Sequence, residues 1–282
     1  MATEKPSRHS GVRPIPVEAT FERLDYADRW LGDGFRVLQS NQPGFLVTLD
    51  VEMTRVRTLI ERLRATGTKG SYAGVMVRAS AMALSRHPDL HSLVVGTRRL
   101  RPRDVSIGLS VDNEAAAAPV MRLERVNEKS LPAVCAELVE RAPAVRAEDS
   151  LTLAKLRRWG WLLPTGWLRR LALRLFFSSL RVRQLFGSLQ VTVLPSVDLV
   201  TSLVCASTAV VGLGRVVERV VARDGEPVVR LMATLSCTGD HKVWNGERVG
   251  RLLAEIRSIL ESGELFQELN DPVEAQLPAA TG

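Results

Sequence analysis

"VVERVVARDGEPVVRLMATLSCTGDH", residues 216–241, is two β-rich runs joined at Asp224-Gly225, and it ends on a histidine. An Asp-Gly pair between valine-rich runs is a strong sign of a β-hairpin, because the central residues of its tight turn need positive φ. The second run is long and apolar, and it carries the chain directly to His241. Beyond the short turn that follows, Val249, Leu252, Leu253, Ile256 and Leu260 recur at helical spacing and predict a closing helix. His241 is therefore expected where a strand ends and a helix is about to begin. There a rigid element aims the side chain and the loop leaves it accessible. The turn also holds Trp244 and Asn245. From the residues alone, His241 and Asn245 are either a functional pair or the decoration of a turn. Trp244 either lines an acceptor pocket or packs beneath the turn.

Upstream, Phe45–Asp50 reads as a strand. A helix follows it with Val56, Leu59, Ile60 and Leu63 on one face and a stop at Gly67. "YAGVMVRASAMALSRHPDL" (72–90) predicts a second helix ended by Pro88. Strands are expected at 93–95 and within "DVSIGLSVD" (104–112), and "EKSLPAVCAELVERA" (128–142) returns to helical spacing. Helices alternating with strands, plus a long late hairpin, predict an α/β fold: a two-layer sandwich with a mixed β-sheet. The expected organisation is a flexible N-terminus over 1–20, a single domain over 21–270 and a flexible tail over 271–282.

The composition, 45% hydrophobic and 24% charged over 282 residues, is that of a soluble globular protein. The opening "MATEKPSRHSGVRPI" lacks the apolar core of an ordinary signal peptide. Cys135, Cys205 and Cys237 have neither disulfide-like nor zinc-like spacing, which predicts a cytoplasmic setting and no metal. The net charge of +7 is carried mainly by arginine, since only five of 38 basic residues are lysine. Such a charge suits anionic partners, but no nucleic-acid recognition motif accompanies it. Among the four histidines, His9 lies in the polar start. His87 and His91 have metal-like spacing, but Pro88 between them breaks the helix that would align their rings.

One region has a different texture: "LRRWGWLLPTGWLRRLALRLFFSSLRVRQLF", residues 156–186, with Trp159, Trp161 and Trp167 within nine residues. From Trp167 onward, helical spacing groups Arg170, Arg174 and Arg181. The frequent charges exclude a transmembrane span. The segment is read as a helix packed on the sheet with its arginines in solvent, as an apolar acceptor wall containing Trp161 and Trp167, or as a membrane-facing surface.

"LMATLSCTGDHKVWNGERVGRLLAEIRSILESGELF" (231–266) resembles the end of the catalytic domain of the 2-oxo acid dehydrogenase acyltransferase (dihydrolipoamide acyltransferase) family, relatives of chloramphenicol acetyltransferase. That family carries His-x-x-x-Asp-Gly after a strand and before a final helix; here the pattern is His241 to Asn245-Gly246. The likeness extends through "FLVTLDVEMTRV", "SRHPDLHS" and "VSIGLSVDNEAAAAPVMRLERVNEKSL". It implies a chloramphenicol-acetyltransferase-like fold and a homotrimer with sites shared between chains. It also implies His241 as general base and Thr192, aligned through "GSLQVTVLP", as oxyanion donor. Asn245 stands where the family has an Asp that braces the active-site loop by a salt bridge. Arg29 is the expected partner for a carboxylate at that position. The segment 156–186 has no evident family counterpart and is read as an insertion, and about 40 residues precede the core. The resemblance thus implies a stand-alone acyltransferase that moves an acetyl or short acyl group from acetyl-CoA to the hydroxyl of a small-molecule acceptor. Its stand-alone form resembles the acetyltransferases of tetronate pathways. The alternatives are a non-catalytic trimeric scaffold or ligand-binding protein, and a core acyltransferase served by a lipoyl domain on another chain.

Overall fold

The computed structural model describes residues 24–270 apart from 42–43, 96, 112–117, 203 and 205. The flexible ends expected at 1–20 and 271–282 lie outside the described residues, as does Cys205. The Asp224-Gly225 hairpin forms as its sequence requires. Strands β8 (Val217–Arg223) and β9 (Glu226–Asp240) pair antiparallel, and Asp224 and Gly225 take φ of 51° and 86°. β9 is 15 residues long and changes partners along its length. Its first half pairs with β8. Its second half lies between β1 (Gly44–Glu52) and β7 (Ala209–Leu213), with Phe45 opposite Gly239 and Gly212 opposite Ser236.

The sheet continues through β6 (Leu189–Val193), β4 (Ile107–Ser110) and β5 (Val120–Leu123), in the order β1-β9-β7-β6-β4-β5 with β8 off β9. The β4–β6 and β6–β7 pairings are parallel and the rest antiparallel, so the sheet is mixed as expected. β2 (Leu93–Val95) and β3 (Arg98–Leu100) form a separate two-stranded ladder. Helices α2 (Thr54–Ala65), α3 (Tyr72–Arg86) and α7 (Gly246–Ser262), with the start of α4 (Leu131–Trp159), form the second layer. α3 is buried on most of its circumference and carries four alanines, as suits a helix wedged between a sheet and other helices. On the opposite face, residues 197–202 cross β7 and β9: Ser236 Oγ donates to the Val200 carbonyl, and the Thr201 and Thr238 hydroxyls pair.

The helix ahead of the first strand has no counterpart among the elements expected from the sequence. α1 (Tyr26–Asn41) packs on α4 and on α5 (Gly166–Phe177), away from the sheet. α4 runs 29 residues, much further than its apolar period, and contains Pro143. A short 3₁₀ turn (Gly160–Leu162) leads from α4 to α5, and α6 (Leu180–Gln184) follows. The helix expected across 167–181 is therefore interrupted at Ser178-Ser179, which puts Arg181 on a different helix from Arg170 and Arg174. The inward side of α5 is also not the one expected. Arg169 is buried in an ion pair with Asp33 of α1 at 2.8 Å and donates to the Leu163 and Pro164 carbonyls. Trp167, Leu171 and Leu175 face out.

Candidate active site

His241 follows the last residue of β9, and the turn that carries it is tied down on both sides. Before it, Asp240 is buried. Its backbone N–H donates to the Thr208 carbonyl at 2.9 Å, and its own carbonyl accepts from the Val243 and Trp244 N–H groups at 2.9 and 3.0 Å. Its carboxylate Oδ1 accepts from the Lys242 N–H at 3.0 Å, closing the turn from the side-chain side as well. Burial pushes the Asp240 carboxyl above its usual range, against the Lys242 N–H and the charges of Lys242 and Arg183, which pull it down. After it, Val243 and Trp244 are core residues. The Trp244 indole N–H donates to the Leu90 carbonyl at 2.9 Å, linking the turn to the loop that follows α3.

Trp244 is 1% exposed, so it cannot line an acceptor pocket within this chain; the packing alternative is the one realised. Its ring and that of Phe45 both press on Gly239, where a Cβ would come within 3.3 Å of each. Gly239 is thus the residue that lets the two rings close over the strand end.

Asn245 is the N-cap of α7. Its backbone is extended, and Oδ1 accepts from the Arg248 N–H at 2.9 Å, satisfying one of the free donors of the first turn. Its hold on the turn is a helix cap and needs no arginine side chain. Arg29, the expected partner for a carboxylate here, is engaged on α1: its Nε donates to the Leu24 carbonyl, and its guanidinium lies 5.1 Å from the Tyr26 ring centroid.

Between these anchors His241 is exposed, its ring tilted against Phe45 with centroids 4.9 Å apart. An imidazole presented this way, on a fixed turn with one face packed and its edge in solvent, has the geometry of an accessible proton acceptor. The sequence alone does not mark Phe45 or Asp240 as a positioning group. Phe45 acts through the cross-strand register with Gly239, which no local pattern reveals. Asp240 is adjacent to the histidine, and only its burial distinguishes it from a solvated turn residue.

Thr192 lies on β6, half-buried, opposite Gly212 of β7, and its hydroxyl makes no hydrogen bond among the described residues. Gly212 is opposite Ser236, five residues before His241. Two strand spacings of about 4.8 Å and five residues of about 3.3 Å put Thr192 and His241 roughly 19 Å apart in one chain. The fold does not bring them together within a single subunit.

Trp161 and Trp167 are 53% and 61% exposed, and the elements that carry them pack on α1, not on the His241 turn. Of the remaining histidines, His91 is buried and its Nε2 pairs with the Ser188 hydroxyl at 2.6 Å, with burial lowering its pKa. His87 caps α3 with Nε2 3.8 Å from Glu255. No group of three or more His, Cys, Asp or Glu side chains with metal-holding geometry occurs among the described residues.

A match to the family of 2-oxoacid dehydrogenases acyltransferase (catalytic domain) covers residues 36–156 and 199–267. The chain is 22% identical over 268 residues to the lipoamide acyltransferase component of the branched-chain alpha-keto acid dehydrogenase complex of Bacillus subtilis (strain 168). The alignment covers 92% of this chain and 55% of that protein, so the chain spans about half the length of this relative. Among solved structures, the dihydrolipoamide acetyltransferase of Azotobacter vinelandii is similar with a TM-score of 0.68 and 19% identity, over 90% of this chain and 100% of that one. That structure comes from work on the role of a serine, a histidine and an asparagine in the catalytic mechanism, the last two lying four positions apart. A probable dihydrolipoamide acetyltransferase from Listeria monocytogenes 4b F2365 is similar with a TM-score of 0.66 and 18% identity, over 91% and 99%. These likenesses show a shared fold.

Proposed function

Because the chain belongs to the 2-oxoacid dehydrogenases acyltransferase (catalytic domain) family, we propose that it transfers an acetyl or short acyl group from acetyl-CoA to the hydroxyl of a small-molecule acceptor, with His241 as general base. The observation that carries this reading is the exposed His241 on a turn fixed by Asp240, Trp244 and Asn245. The spacing of His241 and Asn245 also equals that of the histidine and asparagine whose catalytic roles were investigated in the Azotobacter protein.

The acceptor hydroxyl gives its proton to the neutral imidazole as its oxygen attacks the thioester carbonyl carbon. The tetrahedral oxyanion takes a hydrogen bond from the Thr192 hydroxyl of an adjacent subunit. Collapse breaks the C–S bond, and the departing thiolate takes the proton back from the imidazolium, leaving an ester and free CoA. Positioned bases of this kind contribute about 100- to 10,000-fold, and a single oxyanion donor about 100- to 1,000-fold. The roughly 19 Å between Thr192 and His241 within one chain is the reason for assigning them to different subunits of a homotrimer.

The test is thiol release from acetyl-CoA by the purified protein in the presence of hydroxyl acceptors, beside transfer to free dihydrolipoamide. The acceptor candidates come from mass spectrometry of co-purified ligand, with tetronate-type primary alcohols tried first. Release that requires a hydroxyl acceptor and falls at least about 100-fold in His241→Ala supports the reading. Transfer to dihydrolipoamide alone identifies a core enzyme served by another chain. Activity unchanged in His241→Ala removes His241 from the mechanism.

A further inference from the structure

The positive charge of this chain has one source. Residues 150–197 hold eight of the 38 basic residues and none of the 31 acidic ones, so the rest of the sequence is balanced to within one charge and the whole net +7 comes from this stretch. Nearly all of it, from residue 157 on, falls in the gap that the family match leaves between 156 and 199.

The stretch is also turned in an unusual way. α5 is amphipathic, yet its buried side carries Arg169, locked to Asp33, and its outward side carries Trp167, Leu171 and Leu175 at 61%, 49% and 67% exposure. Apolar side chains of this size left in water are a standing cost that burial against another surface would remove. Trp159, Trp161 and Leu162, just ahead of α5 in the chain, are exposed as well, and the 3₁₀ turn and α5 are both held on α1. Among this surface, Arg158, Arg174 and Arg181 make no ion pair with any described carboxylate. Arg158 instead lies over the Trp159 ring at 5.4 Å.

We propose that the outer face of this insertion, centred on Trp161, Trp167, Leu171 and Leu175 and ringed by Arg158, Arg174 and Arg181, docks the protein on an anionic lipid bilayer. Tryptophan and leucine enter the headgroup boundary while arginines meet the phosphates, the division of labour of an interfacial amphipathic helix. Adsorption is meant, not insertion: no described helix is long and apolar enough to cross a membrane. Charge complementarity favours lipid over a second copy of the chain, whose sequence outside this stretch is balanced to within a single charge and offers no acidic counterpart to its +8. The proposal is independent of the acyl-transfer reading, since binding requires no turnover.

The experiment is flotation of the purified full chain with vesicles of phosphatidylcholine alone or with about a third phosphatidylglycerol, with tryptophan emission recorded on the same samples. Three of the five tryptophans lie in the patch and are exposed, so binding should shift the emission to the blue. The expected result is binding to the anionic vesicles only, weakened by 0.5 M salt. Partition should fall about 100-fold in Arg158→Ser/Arg174→Ser/Arg181→Ser, near fivefold per arginine. Trp161→Ser/Trp167→Ser should bind more weakly and lose most of the emission shift. Absence of binding to anionic vesicles, equal binding to neutral ones, or full binding by the arginine triple variant overturns the proposal. So does a smaller sedimenting assembly for Trp167→Ser/Leu171→Ser without vesicle binding by the parent, which would make this face a contact between copies. If the triple variant fails to fold, the salt response and the neutral-vesicle control of the parent decide.

Discussion

Asn245 offers the most discriminating test of how the His241 turn is held. Its side chain accepts from the Arg248 N–H at 2.9 Å as the N-cap of α7, so Asn245→Ala removes that acceptor and leaves a first-turn donor with only water. The loss should be about 1 kcal/mol, which for a domain of this size lowers the melting temperature by about 2–4 °C. Asn245→Ser keeps a capping oxygen and should stay within about 1 °C of the parent. Asn245→Asp keeps the cap and adds a negative charge at the positive end of the helix, a gain of about 0.3–1 kcal/mol, with no arginine partner required. A salt-bridge brace predicts a different order: Ser would fail as badly as Ala, and Asp would be tolerated only beside a cation. The assay is thermal unfolding by circular dichroism for all four proteins, with transfer rates measured well below the transition. Under the capping account, Ala lowers the rate moderately and Ser and Asp restore it. An unchanged melting temperature in Ala, or a Ser variant as unstable as Ala, would refute the argument.

Mixing His241→Ala and Thr192→Ala chains after co-refolding should restore part of the activity that each lacks, through sites formed by one intact residue from each; failure to regain any activity in verified mixed trimers counts against shared sites. Trp244→Phe should lose the bond to the Leu90 carbonyl and destabilise by about 1–2 kcal/mol, while Trp244→Ala should cost about 3–5 kcal/mol and lower activity through the turn, both read by denaturant midpoint. His91 is held neutral by burial, so its folded-state pKa lies below its unfolded value. The stability it contributes is therefore present above pH about 6.5 and is lost as the pH falls through the depressed folded-state value. His91→Asn should be flatter than the parent between pH about 7 and 5 in thermal melts. A parent with no acid-side decline relative to the variant would contradict the burial argument.

Where sequence and structure agree, the signal was local and periodic. The Asp224-Gly225 hairpin, β1, α2, the stop at Pro88 and the face of α7 each depend on residues within one element, and each forms within a residue or two of its pattern. His241 was legible for the same reason, since an apolar run leading into a polar turn fixes where it must stand. α1 was not, because its stabilising partner, the buried Arg169 opposite Asp33, lies 136 residues away. The orientation of α5 was hidden by the same contact. Helical spacing places arginines and leucines on opposite sides but cannot say which side a distant carboxylate will claim. Asp240, Phe45 and Gly239 became visible as supports only through cross-strand register.

The separation of Thr192 from His241 is a consequence of that register and is hard to evade. A paired sheet does not slide by five residues without turning each intervening side chain to new neighbours. Here Gly212 is further constrained, because a Cβ at that position would run into the Val200 carbonyl. β6 and the end of β9 are thus fixed relative to one another before any substrate arrives. No loop motion of ordinary size closes roughly 19 Å between two residues whose strands belong to the same ladder. If both residues act on one carbonyl, the second must come from another copy of the chain. The hairpin of β8 and the first half of β9 is an arm suited to such an assembly: its cross-strand pair Val220 and Val229 is 71% and 56% exposed in the single chain. The two unanswered features then separate by chemistry. If the shared-site proposal holds, the uncharged valine pair on the β-arm is a surface for another copy of the chain, which leaves the arginine-ringed tryptophan face to the proposed anionic lipid.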